Sequence, residues 1–179
     1  AANKVYDRAT TSTVTGTSSL VGVVSGDTVT LGGIAVGTFA SANVANVITV
    51  SISGFSISGS SSGNYTLTQP TTTANITAKG LTVSGTTASN KVYNGNTTAT
   101  VNQTLSVLAA GVVSGDTVTL GGTATGTVVS APVGTGKPVT VAGYSIIGGD
   151  ASNYSLPNQP TGVNVDITAG TPTLIGFAL

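Results

Sequence analysis

Apolar and polar residues alternate along much of this chain with a period of two. In Thr28-Val29-Thr30-Leu31, Val29 and Leu31 point one way and the threonines the other. Gly32-Gly33 follows, a two-residue signal for a hairpin between two strands. Its partner run is Ile34 to Phe39. Val47 to Ile52 alternates again, Gly54 interrupts, and Phe55 to Ser58 resumes. Gly59 to Gly63 reads as a loop, and Tyr65 to Leu67 and Thr72 to Thr77 as closing strands. No segment sustains a 3.6-residue pattern of helix formers. The pattern predicts an all-β protein.

The pattern occurs twice. GVVSGDTVTLGG spans Gly22–Gly33 and again Gly111–Gly122, an offset of 89 residues. Asn3-Lys4-Val5-Tyr6 matches Asn90-Lys91-Val92-Tyr93 at an offset of 87, and Gly54-Phe55-Ser56-Ile57 matches Gly143-Tyr144-Ser145-Ile146 at 89. Asn64-Tyr65 matches Asn153-Tyr154, Gln69-Pro70 matches Gln159-Pro160, and Ile76-Thr77-Ala78 matches Ile167-Thr168-Ala169. The drift in offset places small insertions in turns, where they are tolerated. Six or seven short strands per copy, with frequent turn signals, predict a small antiparallel β-sandwich. A β-helix is the rival, but its rungs of about 20–30 residues would give a shorter period than the chain shows. The expected domains are 1–79 and 80–170, followed by an apolar tail, 171–179.

Laying one copy on the other exposes a mismatch. Gly80 to Thr87 reads as the first strand of copy two, whereas only Ala1-Ala2-Asn3 precedes Lys4 in copy one. Past Ala169 the chain continues with a segment that aligns with a first strand. This predicts a donor strand made of Leu174, Ile175, Phe177, Ala178 and Leu179, inserted into the first module of the next subunit. Simple alternation puts Leu174, Gly176 and Ala178 on one face and Ile175, Phe177 and Leu179 on the other. A crop from a longer repeat array would show the same ends. Ala35, Gly37 and Phe39 correspond to Ala124, Gly126 and Val128, a face that changes little and is assigned to the core. The opposite face carries Ile34 and Val36 in copy one but Thr123 and Thr125 in copy two, which makes Ile34 and Val36 a candidate interface.

Composition narrows the function. Charged residues make up 6% of the 179, against about 25% in ordinary soluble domains, and five positive charges balance five negative ones. Lys4, Arg8, Lys79, Lys91 and Lys137 are scattered, so no nucleic-acid partner is expected, since phosphates demand clustered cations. The chain has no Cys or His, which removes the usual ligands of zinc, haem and iron–sulfur centres, and no cofactor is expected. No apolar run reaches the length of a membrane helix, and no leader pattern stands at the start. Scarce charge, Thr/Ser/Gly richness and absence of cysteine suit a bacterial surface protein exported through an outer membrane.

Catalytic constellations are hard to assemble from this alphabet. The carboxylates are Asp7, Asp27, Asp116, Asp150 and Asp166. Asp27 and Asp116 sit in equivalent Ser-Gly-Asp-Thr turns, where Asp caps local backbone N–H groups. One acid per turn is too few for calcium, and no acid–base pair emerges. Gly134-Thr135-Gly136-Lys137 lacks the spacing of a phosphate loop and reads as a turn. Tyr6 and Tyr93 are expected to plug the two cores.

The Lys-Val-Tyr opening, the Val-Ser-Gly-Asp-Thr-Val turn, the Asn-Tyr pair and the Gln-Pro to Ile-Thr-Ala close together resemble the YDG repeat domain. Copy one reads Tyr6-Asp7-Arg8 and copy two Tyr93-Asn94-Gly95, so neither holds the full triplet. The resemblance implies two tandem immunoglobulin-like modules of a large secreted adhesin similar to filamentous haemagglutinin. It implies a non-enzymatic stalk at the bacterial cell surface, with partners that are copies of itself, head-to-tail, or neighbouring repeats. The alternative is an adhesive module that recognises host or surface glycans, or ice, through flat Thr/Ser faces.

Overall fold

The computed structural model describes residues 1–109 and 111–176. The chain divides into two compact units, Ala1–Lys79 and Gly80–Leu179. Unit 1 contains β1 (Lys4–Val5), β2 (Thr11–Ser12), β3 (Thr30–Phe39), β4 (Ala45–Ser58) and β5 (Thr71–Thr77). They form one sheet in the order β1-β5-β4-β3-β2. A short strand, β6 (Lys79–Gly80), follows at the boundary. Unit 2 contains β7 (Val83–Ser84), β8 (Thr87–Ala88), β9 (Lys91–Val92), β10 (Thr98–Ala99), β11 (Val101–Asn102), β12 (Val107–Leu108), β13 (Thr119–Val128), β14 (Gly134–Ile147), β15 (Tyr154–Ser155) and β16 (Asn164–Thr168). Its main sheet, β9-β16-β14-β13-β10, repeats the order of unit 1 strand for strand.

The all-β expectation holds, with two departures in detail. One pair in each sheet is parallel: Lys4 lies beside Ile76, and Lys91 beside Ile167. The second departure is at Gly32-Gly33, which is not a hairpin. β3 runs through it, and β4 runs through Gly54, so these strands are 10 and 14 residues long. Gly33 pairs with Phe55, but the next pair is Val36 with Ser53, so the register slips by one residue in a β-bulge. Gly33 and Gly54 face each other there with φ of 89° and 88°. A Cβ on Gly33 would fall on the Gly54 carbonyl oxygen, and one on Gly54 on that of Ile34. Gly122 and Gly143 repeat the device at φ of 83° and 98°. A bulge bends its strand and increases its twist, which lets a two-stranded ribbon curl over its own core.

The inner face follows the sequence expectation. Phe39 and Val50 are fully buried in unit 1, as are Val128, Val165 and Ile167 in unit 2. Gly37 and Gly126 are buried beside them, and Ala124 with them, while Ala35 is half-buried. Tyr6 is a core residue, 3% exposed, but Tyr93 is 48% exposed and does not plug unit 2 as expected; nothing in the surroundings of Tyr93 explains the difference. The lysine of each opening has a structural use. Lys4 Nζ donates to the Ala9 and Thr11 carbonyls and pairs with Asp7, and Lys91 Nζ donates to those of Asn96 and Thr98. Both ammonium groups pin the loop that leads out of the first strand.

A second irregularity separates Ala45 from Ile48 on β4. Val47 takes φ of 55° there, and its N–H donates to Asn75 Oδ1 at 2.8 Å. Gly136 occupies the equivalent place in unit 2 at φ of 59°, donating to Asp166 Oδ1. A β-branched residue in the left-handed region is strained, and Val47 is too exposed, at 70%, to recover much by burial. Val47→Gly is therefore expected to stabilise unit 1 by about 1 kcal/mol, net of the added chain entropy. Urea denaturation checks it, and an unchanged or lower midpoint would remove the strain argument.

Candidate strand-acceptor groove

In unit 2 the segment after Gly80 completes the module. Val83 and Ser84 pair with Leu108 and Val107, and Thr87 and Ala88 pair with Asn102 and Val101. The Leu81 N–H donates to the Ser155 carbonyl, and the Ala109 N–H to that of Thr82. Leu81 is 1% exposed. Thr86 Oγ1 lies 3.1 Å from the Tyr144 hydroxyl and 2.9 Å from Ser106 Oγ, a small half-buried polar network. Inward positions are Leu81, Val83, Thr86 and Ala88. The alternation changes phase at Gly85, which has φ of 79° and whose Cβ would fall on the Leu105 carbonyl oxygen.

The same place in unit 1 is a groove. Val14, Thr15, Leu20 and Tyr65, which stand where Val101, Asn102, Leu108 and Tyr154 stand in unit 2, belong to no strand. Tyr65 to Leu67, expected as a strand, is extended chain without a ladder partner. One cavity of about 430 Å³ is lined by Val14, Thr17, Leu31, Ala35, Ile52 and Phe55. A second, of about 280 Å³, is lined by Leu20, Val29, Ile57, Tyr65 and Leu67. Four positions register the difference. Ala124, Val141, Tyr144 and Tyr154 are buried in unit 2, while Ala35, Ile52, Phe55 and Tyr65 at the matching places are only half-buried. The groove is thus a trough of mixed lining, in which Thr15, Ser18, Thr71 and Thr72 stand beside the apolar side chains of the first cavity and Ser19, Thr66 and Thr68 beside those of the second.

Two repeated devices hold its walls. Gln69 accepts the Phe55 N–H at Oε1 (3.3 Å) and donates from Nε2 to the Phe55 carbonyl (2.9 Å). Gln159 does the same to Tyr144 at 2.9 and 3.1 Å. A side-chain amide thereby imitates one rung of a ladder at the strand that leaves the bulge, which is what the Gln-Pro motif supplies. The second device closes the Ser-Gly-Asp turn. The Tyr154 hydroxyl donates to Asp116 Oδ2 at 2.7 Å and accepts the Val113 N–H at 2.8 Å. The Tyr65 hydroxyl donates to Asp27 Oδ2 and accepts the Val24 N–H. The sequence reading gave these aspartates a local capping role; the structure uses them on a tyrosine 38 residues away.

Burial, and then the hydrogen bond to Asp116, raise the Tyr154 hydroxyl above its ordinary pKa, against a smaller opposing effect of the Val113 N–H. The Asp27 bond raises Tyr65 in the same direction. A hydroxyl whose folded pKa lies above its unfolded value contributes stability that is present below about pH 10 and is lost as pH rises through the folded value. The urea midpoint of unit 2 is expected to hold below about pH 10 and fall above it, and Tyr154→Phe to flatten that fall. An equally steep alkaline fall in the variant would contradict it.

Of the expected donor strand, Leu174 and Ile175 belong to no strand and are 84% and 89% exposed. Phe177, Ala178 and Leu179 lie outside the described residues. Ile34 and Val36 are 84% and 54% exposed, on the outer face as their alternation requires. Among the described residues no three acidic side chains come together, and no helix is long and apolar enough to cross a membrane. A larger groove, about 700 Å³, lies in unit 2 between Val139–Val141 and Asn158–Val163. Gly162, with φ of 74°, is part of its lining. In unit 1 the Ile52 N–H bonds to the Pro70 carbonyl at the matching place.

Fold and groove together define an all-β tandem-repeat protein whose second copy is completed by its own leading segment. The chain belongs to the YDG domain family: residues 1–74 and 77–162 each match the YDG domain. No curated protein and no solved structure matches it.

Proposed function

We propose that this protein is a non-enzymatic stalk, in which YDG modules repeat in line to build a fibre or adhesin at a bacterial cell surface. The observation that carries this reading is the junction. β5 ends at Thr77, and the segment that completes unit 2 begins at Gly80. One module therefore hands the chain to the next with no linker, as repeat proteins do when each unit is stabilised by itself and its neighbours. The low charge, with only 5 basic and 5 acidic residues, supports close lateral or end-to-end contact, because charge on edge strands is a common guard against pairing. Copies placed head-to-tail extend the array, since a heterologous contact that does not close makes a filament.

Immunogold electron microscopy of intact bacteria that express the chain within its native flanks tests the reading. Gold is expected outside the cell envelope and is expected to disappear after external protease. Gold seen only in permeabilised cells would overturn it.

A further inference from the structure

We infer that Asn94 is a site of self-catalysed deamidation in the folded protein, and that the aspartate formed there pairs with Lys91 as Asp7 pairs with Lys4. The inference stands apart from the stalk reading. Asn-Gly occurs once in the chain, at Asn94-Gly95. It lies in the loop between β9 and β10, and both residues are exposed. A glycine carries no side chain to shield its nitrogen from the asparagine before it. The backbone does not demand glycine at this place. Arg8 takes the same left-handed turn in unit 1, with φ of 67° against 79° at Gly95, and a Cβ on Gly95 would meet nothing.

The surroundings favour the reaction. The Gly95 N–H has no hydrogen-bond partner among the described residues, so no ladder or turn bond holds the nitrogen away. Asn94 Oδ1 accepts the Asn96 N–H at 3.3 Å, which folds the side-chain amide over the Asn94–Gly95 peptide and draws electron density from Cγ. A polar cavity of about 310 Å³, lined in part by Asn90, Lys91, Asn94, Asn96 and Thr98, gives water access beside it. The steps balance without a cofactor. The Gly95 nitrogen loses its proton to a solvent base and attacks Asn94 Cγ. The Cγ–Nδ2 bond breaks and ammonia leaves, closing a cyclic imide. Water then opens the imide. Cleavage between Cγ and the Gly95 nitrogen leaves aspartate on the original backbone, and cleavage at the backbone carbonyl leaves isoaspartate. Water is consumed and ammonia is lost, so the change runs one way.

Unit 1 shows where the new carboxylate goes. Asp7 Oδ1 accepts the Ala9 N–H at 2.9 Å, as Asn94 Oδ1 accepts that of Asn96. The same Asp7 oxygen lies 2.6 Å from Lys4 Nζ. Lys4 directs its other donors to the Ala9 and Thr11 carbonyls, and Lys91 does so to those of Asn96 and Thr98. Lys91 gives its remaining donor to the Asn96 side chain, at 2.7 Å from Oδ1. An ammonium binds a carboxylate more strongly than a neutral amide oxygen. Deamidation therefore draws that donor to position 94 and releases the Asn96 side chain. Residues 93–95 then read Tyr-Asp-Gly, the triplet that neither copy holds as encoded. The chain, neutral as encoded, gains a negative charge.

Peptide mapping by mass spectrometry of the full folded chain, aged at mildly alkaline pH, tests the site. Asn94 is expected to exchange NH for O at least about tenfold faster than any other asparagine, and Gly95→Arg, which copies unit 1, is expected to slow it about tenfold. Acylation of the lysines tests the pairing, since only the uncharged amine reacts. In Asn94→Asp protein, Lys91 is expected to label about threefold more slowly than in the freshly purified parent at low salt, a difference lost at high salt, while Lys137 labels equally in both. Asn94 left intact while other asparagines react, or an equal rate in Gly95→Arg, would overturn the site. Equal labelling of Lys91 in the two proteins at low salt would overturn the pairing.

Discussion

Gly143→Ala is expected to destabilise unit 2 by at least about 3 kcal/mol and to leave unit 1 in place. Two costs combine. Gly143 has φ of 98°, a conformation that costs an L-residue about 1–2 kcal/mol by itself. A methyl group there would also fall on the Thr123 carbonyl oxygen, which is backbone within the bulge. The clash cannot be relieved by a rotamer change, so the bulge must open, and with it the bend that carries β14 over the core. A domain of this size holds about 5–15 kcal/mol in total, so the loss is a large share. Urea unfolding with limited proteolysis checks it. The transition of unit 2 is expected to move to lower urea, with cleavage confined to residues 80–179. Gly149→Ala serves as the control, because its Cβ meets nothing and its φ is not positive; it is expected to change stability by less than about 0.5 kcal/mol. A Gly143→Ala protein within that same range would refute the opposed-glycine reading.

Period-two alternation was enough to assign an all-β protein and the inner face of β3, because a strand that buries one side must write that side into every second residue. The duplication then supplied what single positions could not. It located the glutamine and tyrosine motifs, although not what they bind, since the partners of Gln69 and Tyr65 lie 14 and 38 residues away. Gly32-Gly33 was misread for a physical reason. A pair of glycines permits positive φ, and both a hairpin turn and a bulge require it. Only the matching glycine on the facing strand, Gly54, separates the two, and facing strands are not visible before pairing is known. The same ambiguity affects the segment that leads into unit 2, whose inward positions change phase at Gly85, a step that straight alternation does not reveal. Tyr93 carries the same Lys-Val-Tyr signature as Tyr6 and yet is exposed, so identity of motif did not fix burial. The groove itself was legible as a mismatch between copies, and its walls were not, because they are made by side chains whose half-burial in unit 1 has meaning only beside full burial in unit 2.

Leu81→Ala is expected to cost unit 2 about 2–5 kcal/mol, within the range for truncating a fully buried leucine. Leu81 is the one fully buried side chain of the segment that leads into unit 2. It is 1% exposed, and Gly111 approaches so closely that a Cβ there would meet its Cδ2 at 3.1 Å. The flanking contacts are backbone bonds at the rim, Leu81 to Ser155 and Ala109 to Thr82, which the substitution leaves chemically intact. The loss therefore comes from transfer and cavity energy, and it falls near the upper end if the rim holds and the space cannot collapse. Thr82→Ala, an exposed neighbour on the same segment, is expected to stay within about 0.5 kcal/mol. Hydrogen exchange separates the two ways in which unit 2 can yield. If the leading segment is a plug on an otherwise finished sheet, protection is lost at Leu81, Val83 and Ala109 while the β13–β14 ladder keeps its own. If the segment is integral to the core, protection falls across that ladder as well. The first outcome is the one expected, because unit 1 forms the same five-stranded sheet with its groove open. A cost under about 1 kcal/mol would show instead that Leu81 contributes little to unit 2.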